Sequence, residues 1–141
     1  MLRSFFVSFV IFVLGVTLQA SEPVGVMVSA LSPPREMTRE KMIELLTGRV
    51  KNWPDGERAV LIISHGPGGE AAVQNLIARD VTRLMRGWKR LVFGSGGSLP
   101  LVVNDDSSGI DLIARTPNAV MPLAGSPTGT LPAGVRYLVL P

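Results

Sequence analysis

The stretch "LIISHGPGGEAAV", Leu61 to Val73, constrains the fold of this chain more than any other. An apolar, β-branched run feeds a glycine loop, and a helical pattern follows at once. That order belongs to α/β layers, and it crowds backbone N–H groups at the positive end of a helix. The loop therefore poses a specific question. It either holds an anion or simply turns the chain.

The flanking segments keep the same alternation. "PVGVMVSAL", Pro23 to Leu31, reads as a buried strand, and the two prolines of "SPPRE" end it. Thr38 is the expected N-cap of "REKMIELLTG", with Met37 and Met42 at hydrophobic-staple spacing and Gly48 at the stop. Met42, Leu45 and Leu46 form its apolar stripe. Pro54-Asp55-Gly56 is turn chemistry ahead of a second strand, "RAVLII". A helix is expected from Gly69 to Arg79, with Val73, Leu76 and Ile77 on one face. Asp80 then caps "VTRLMRGWKRLVF", where Val81, Leu84, Met85 and Trp88 mark the clearest helical period in the chain. Next come a strand in "LPLVVN", a helix in "SSGIDLIART" capped by Asp105 or Asp106, a strand in "PNAVMPL" and a last strand in "VRYLVL". The predicted class is α/β, a mixed sheet flanked by helices with some parallel pairing.

The first 20 residues stand apart. "MLRS" supplies one Arg, "FFVSFVIFVLGVTL" is an apolar run from Phe5 to Leu18, and Ala20 is a small residue at its end. This is the pattern of a cleavable signal peptide, and the run is short of the roughly 20 residues a spanning helix needs. Residues 1–20 are expected to be removed and 21–141 to form one exported domain, periplasmic or secreted, without stable membrane insertion. An uncleaved N-terminal membrane anchor is the alternative. The apolar leader also inflates the mean hydropathy of +0.33.

Composition then narrows the chemistry. The chain has no Cys and one His, which excludes disulfides, thiolate metal sites, cysteine nucleophiles and multi-histidine centres. No metal and no cofactor is expected. Beyond residue 20 there are 13 Lys and Arg against 11 Asp and Glu, too slight a bias to point to nucleic acid.

Each candidate site has a plain structural alternative. "GPGGE" lacks the Lys and Ser/Thr of a P-loop and the spacing of a dinucleotide fingerprint. As an anion or ligand site the loop would use Ser64, His65, Gly68, Gly69 and Glu70; otherwise it is a turn. Glu70 at the helix start complements the macrodipole but repels an incoming anion. "GSGGS", Gly94 to Ser98, precedes a strand and not a helix, so it reads as a flexible connection. His65 has no nucleophile and orienting carboxylate in any recognisable motif, so no catalytic residue is assigned and the chain does not read as an enzyme. Asp105 and Asp106 read as capping residues, and Trp53 and Trp88 as core anchors. Arg79, Arg83, Arg86 and Arg90 share one helix face, either solvated or a partner surface.

Taken in order, "LTGRVKNWPDG", the glycine loop, "LMRGWKRLVFGSGG", "IARTPNAV" and "GVRYLVL" resemble the phosphate-type substrate-binding proteins of ABC transporters, in a short single-lobe form. The resemblance covers about residues 24–140. It implies one lobe of the type II periplasmic-binding-protein fold, where full-length members clamp an anion between two lobes. In that family the loop resembles "R-x-D-G-S-G-T", with Arg, Ser and Thr holding phosphate beside the loop amides. Here those positions fall on Ser64, Gly68 and Glu70. Asn118 replaces the first Gly of a "P-G-A-I-G-Y" strand, and Met121-Pro122 replace its Gly-Tyr. The resemblance thus implies a solute-binding-like protein with weak binding of phosphate or another small anion through loop amides. The alternative is a periplasmic interaction module that has lost its ligand, with an envelope protein or a second copy as partner.

Overall fold

A computed structural model describes residues 23–125 and 131–141. Five strands and four helices follow in the order β1 (Val24–Ser29), α1 (Arg39–Leu46), β2 (Val60–Ser64), α2 (Pro67–Ile77), α3 (Val81–Ser95), β3 (Leu101–Val103), α4 (Asp106–Arg115), β4 (Ala119–Ala124) and β5 (Val135–Val139). They build a single mixed sheet in the order β3-β2-β4-β1-β5. β2 pairs in parallel with β3 and β4, and β1 runs antiparallel between β4 and β5.

The period of two along each strand divides the core. Val24, Val26 and Val28 of β1, with Leu61 and Ile63 of β2, face a layer made by α1, α2 and α3. Met27, Ile62 and Met121 face the other way, onto Ile113 of α4. The two layers of helices therefore leave the ends of the parallel strands free, and β2 and β3 end side by side with Ser64 opposite Val103.

Local signals explain the elements. Thr38 caps α1 by accepting from Lys41 N at 3.1 Å, and Met37 and Met42 are both buried as the staple requires. The helix ends in a Schellman motif: Gly48 N donates to the Leu45 carbonyl, Arg49 N donates to that of Glu44, and Gly48 sits at φ +75°. Trp88 Nε1 donates to the Leu46 carbonyl at 2.7 Å, so the indole seals the end of α1 while filling the core.

Several boundaries differ from the sequence reading. α2 starts two residues earlier than Gly69, because Pro67 sits at its first position with a pre-set φ. It also stops before Arg79, because Ala78 turns left-handed at φ 53°. α3 continues through Gly94 and Ser95, so only Gly96 to Ser98 of the expected connection lies outside regular structure. β3 is shorter than "LPLVVN", covering Leu101–Val103. The expected leader lies outside the described residues. Among those described, no helix is long and apolar enough to cross a membrane.

Ala78 carries a left-handed backbone that glycine adopts without penalty. It is exposed, so Ala78→Gly changes little else. The substitution should raise unfolding stability by up to about 1 kcal/mol, measured by thermal or urea unfolding.

Candidate functional site

The glycine loop lies at the carboxyl end of β2, where Ser64 is the last strand residue and is 1% exposed. Gly66 is the N-cap of α2 but has no side chain to satisfy the first-turn amides. The amides are satisfied from elsewhere. Asp106 Oδ2 accepts from Gly68 N at 2.8 Å and Asp106 Oδ1 accepts from Gly69 N at 3.0 Å. The Ser64 hydroxyl donates to Asp106 Oδ1 at 2.7 Å and accepts from Gly66 N at 2.9 Å. Glu70 N closes the first intrahelical bond to the Gly66 carbonyl.

Asp106 reaches this position because β2 and β3 are parallel neighbours. Their carboxyl ends coincide, so the helices that follow begin side by side. His65 N donates to the Val103 carbonyl at 2.9 Å and ties the two strand ends together. Asp105 caps α4 through Ser108 N at 2.7 Å, which leaves Asp106, in the first turn, free to cap α2. Sequence reading offered either aspartate as the cap of α4; the structure gives the two carboxylates different helices. The Asp106 carboxylate thus lies at the N-termini of both α2 and α4, where helix dipoles favour negative charge.

Close approach, not backbone twist, dictates glycine here. A Cβ on Gly66 would lie 2.6 Å from Asp106 Oδ1, and one on Gly68 would lie 2.7 Å from Leu123 Cδ1. A Cβ on Gly69 would strike the Ser64 carbonyl. Gly109 plays the same part on α4: a side chain there would meet Met121. Met121 therefore fits because α4 presents no Cβ opposite it.

Of the five candidate ligand residues, Ser64, Gly68 and Gly69 converge on one carboxylate. His65 and Glu70 lie apart and face each other, Nδ1 to Oε1 at 3.1 Å. Glu70 Oε2 accepts from Val81 N at 3.1 Å, so this carboxylate serves the start of α3, not the loop. Among the described residues no hydrogen bond joins the Ser64 hydroxyl to the His65 ring, and no group of acidic or histidine side chains is placed to hold a metal. Arg83, Arg86 and Arg90 project from the exposed face of α3. Arg79 precedes that helix and lines the same groove with them and Gly87.

A second polar cluster escaped the sequence reading, which took "SPPRE" only as a break. Arg35 has a side chain 9% exposed and pairs with Asp55 at 2.7 Å. It also donates to Asn118 Oδ1 at 2.8 Å and stacks over Trp53, 4.7 Å from the ring centroid. Asn118 adopts φ 64°, a left-handed conformation that asparagine tolerates better than most residues, and its carbonyl accepts from Trp53 Nε1 at 2.9 Å. An arginine following two prolines gives no periodic signal, so only the fold reveals its role.

A solved structure shares this architecture. An ABC-type phosphate transport receptor from Vibrio cholerae superposes with a TM-score of 0.57 at 18% identity, over 84% of this chain and 46% of that one. The chain has the fold of a single periplasmic-binding-protein lobe and spans less than half of that receptor's length. No protein-family model and no curated protein matches the sequence.

Two predictions follow from this geometry. Gly69→Ala should lower stability by about 1–3 kcal/mol despite alanine's better helix propensity, because the added methyl meets backbone; thermal unfolding reads it. Hydrogen bonds from the Glu57 and Ser108 amides hold the Asp55 and Asp105 carboxyls below the usual aspartate value, with the Arg35 guanidinium adding to the effect on Asp55. Their stabilisation is complete above the ordinary pKa of 3.8 and is lost as pH falls through the lower folded-state values. Asp55→Asn and Asp105→Asn should each flatten the fall of stability below about pH 4, followed by urea unfolding across that range.

Proposed function

We propose that this chain is an exported solute-binding-type lobe whose anion loop is filled by its own Asp106 carboxylate. On this reading it serves as a docking module in the cell envelope and not as a high-affinity phosphate receptor. The observation that carries the reading is the Asp106 carboxylate held by Ser64 Oγ and the amides of Gly68 and Gly69. Those are the groups an anion would need. A phosphate dianion would have to displace the carboxylate and then find no guanidinium at the loop, because the family's arginine position is Ser64. Charge-assisted bidentate bonds supply most of the compensation for desolvating phosphate, and here they are missing.

Thermal unfolding with phosphate, sulfate and nitrate at matched ionic strength tests this. The wild-type protein should show no anion-specific shift at millimolar phosphate. Asp106→Ala should cost about 1–2 kcal/mol by leaving the α2 amides uncapped, and added phosphate should restore part of the lost Tm. A phosphate-specific rise of several degrees in the wild-type protein would overturn the proposal, since ligand at about 100 times its Kd contributes roughly 2.7 kcal/mol.

A further inference from the structure

The exposed face of α3 is built from one kind of charge. Arg83, Arg86 and Arg90 stand at i, i+3 and i+7, Arg79 joins them at the groove, and Lys89 flanks them, all exposed. None of these cations pairs with a carboxylate among the described residues, where the Arg and Lys ion pairs are Arg35–Asp55 and Lys41–Glu44. α3 itself contains no acidic residue. Outside these five cations, residues 21–141 carry 8 basic and 11 acidic side chains, so a basic face sits on a net-negative body.

The helix does not need this face for its own stability. Val81, Leu84 and Trp88 hold it to the core, and Asp80 caps it through Arg83 N at 2.7 Å. Like charges at i, i+3 and i, i+4 oppose helix formation, and a mid-helix glycine weakens it further. Gly87 lies on the groove with nothing within 4 Å of where a Cβ would be. Three residues beyond Arg90, on the same stripe, Phe93 is 89% exposed. Arg83 to Phe93 spans about 15 Å of helix.

We propose that this face docks on an anionic phospholipid surface. The guanidiniums form the fork geometry that headgroup phosphates accept, and the open backbone at Gly87 lets a headgroup sit between them. Phe93 dips into the interfacial region at the end of the row, as aromatic side chains do. A flat array of anions meets the whole row at once and repels the net-negative remainder, which orients the domain. The surface is separate from the Asp106 loop and does not depend on the reading given to that loop.

Flotation of the full-length protein with vesicles tests this. Wild type is compared with Arg83→Glu/Arg86→Glu and with Phe93→Ser on vesicles of phosphatidylcholine alone or with 30 mol% (about one lipid in three) phosphatidylglycerol. All variants share one N-terminus, so any contribution from the apolar leader cancels. Binding to anionic vesicles should exceed that to neutral ones and should collapse at about 0.5 M salt. Each arginine near the surface is worth about fivefold in partitioning, so the double charge reversal should reduce it at least about 25-fold. Phe93→Ser should reduce binding at unchanged Tm. Equal binding to both vesicle types, or binding indifferent to the double reversal, overturns the proposal. So does full competition by millimolar inorganic phosphate at matched ionic strength, which would make free phosphate the ligand. Absence of anionic-vesicle binding together with Arg83- and Arg86-dependent capture of an acidic protein overturns it in favour of a protein partner.

Discussion

The Asp106 carboxylate organises the polar end of this lobe. It accepts hydrogen bonds from the Ser64 hydroxyl and from the amides of Gly68 and Gly69, and so satisfies donors that the start of α2 would otherwise leave open. Because Asp106 belongs to α4, the contact also fixes α4 against the end of β2. Three features exist to allow it: glycines that let backbone and carboxylate meet, a parallel β2–β3 pair that brings two helix starts together, and Gly109 facing Met121. An internal anion with short hydrogen bonds in a partly buried site is held more firmly than a free one, because it loses no translational freedom on binding.

The Arg35 cluster performs a comparable task at another part of the structure. A nearly buried guanidinium would be costly alone, yet it has a carboxylate, an amide oxygen and an aromatic face as partners. Through Asp55 and Trp53 it holds the "WPDG" turn, and through Asn118 it holds the bend before β4. The most recognisable stretch of the sequence is therefore fixed by a residue with no recognisable pattern of its own. This cluster and the Asp106 contact both join segments far apart in the chain. The first spans 83 positions and the second 42.

Much of the fold was legible residue by residue. Thr38, Met37, Met42 and Gly48 bound α1 where the capping rules placed them, and Asp80 starts α3. Val81, Leu84 and Trp88 are buried as their period required. The site was legible only in part. Ser64, Gly68 and Gly69 could be singled out because they follow a strand and open a helix. Their common partner could not, because an aspartate in a capping pair serves its own helix in most settings and nothing local marks it for another. Glu70 was placed correctly at a helix start, but the amide it serves belongs to α3.

The sequence by itself determined the alternation of strands and helices, the caps and turns that bound them, and the absence of cysteine and multi-histidine chemistry. These depend on neighbours within a few positions, where periodicity and side-chain chemistry act directly. Tertiary structure alone decided that β2 and β3 end together, that Asp106 fills the glycine loop after β2, and that the Arg35 side chain is enclosed by Asp55, Asn118 and Trp53. Those outcomes depend on sheet order, which brings distant segments within hydrogen-bond distance and leaves no trace in local spacing.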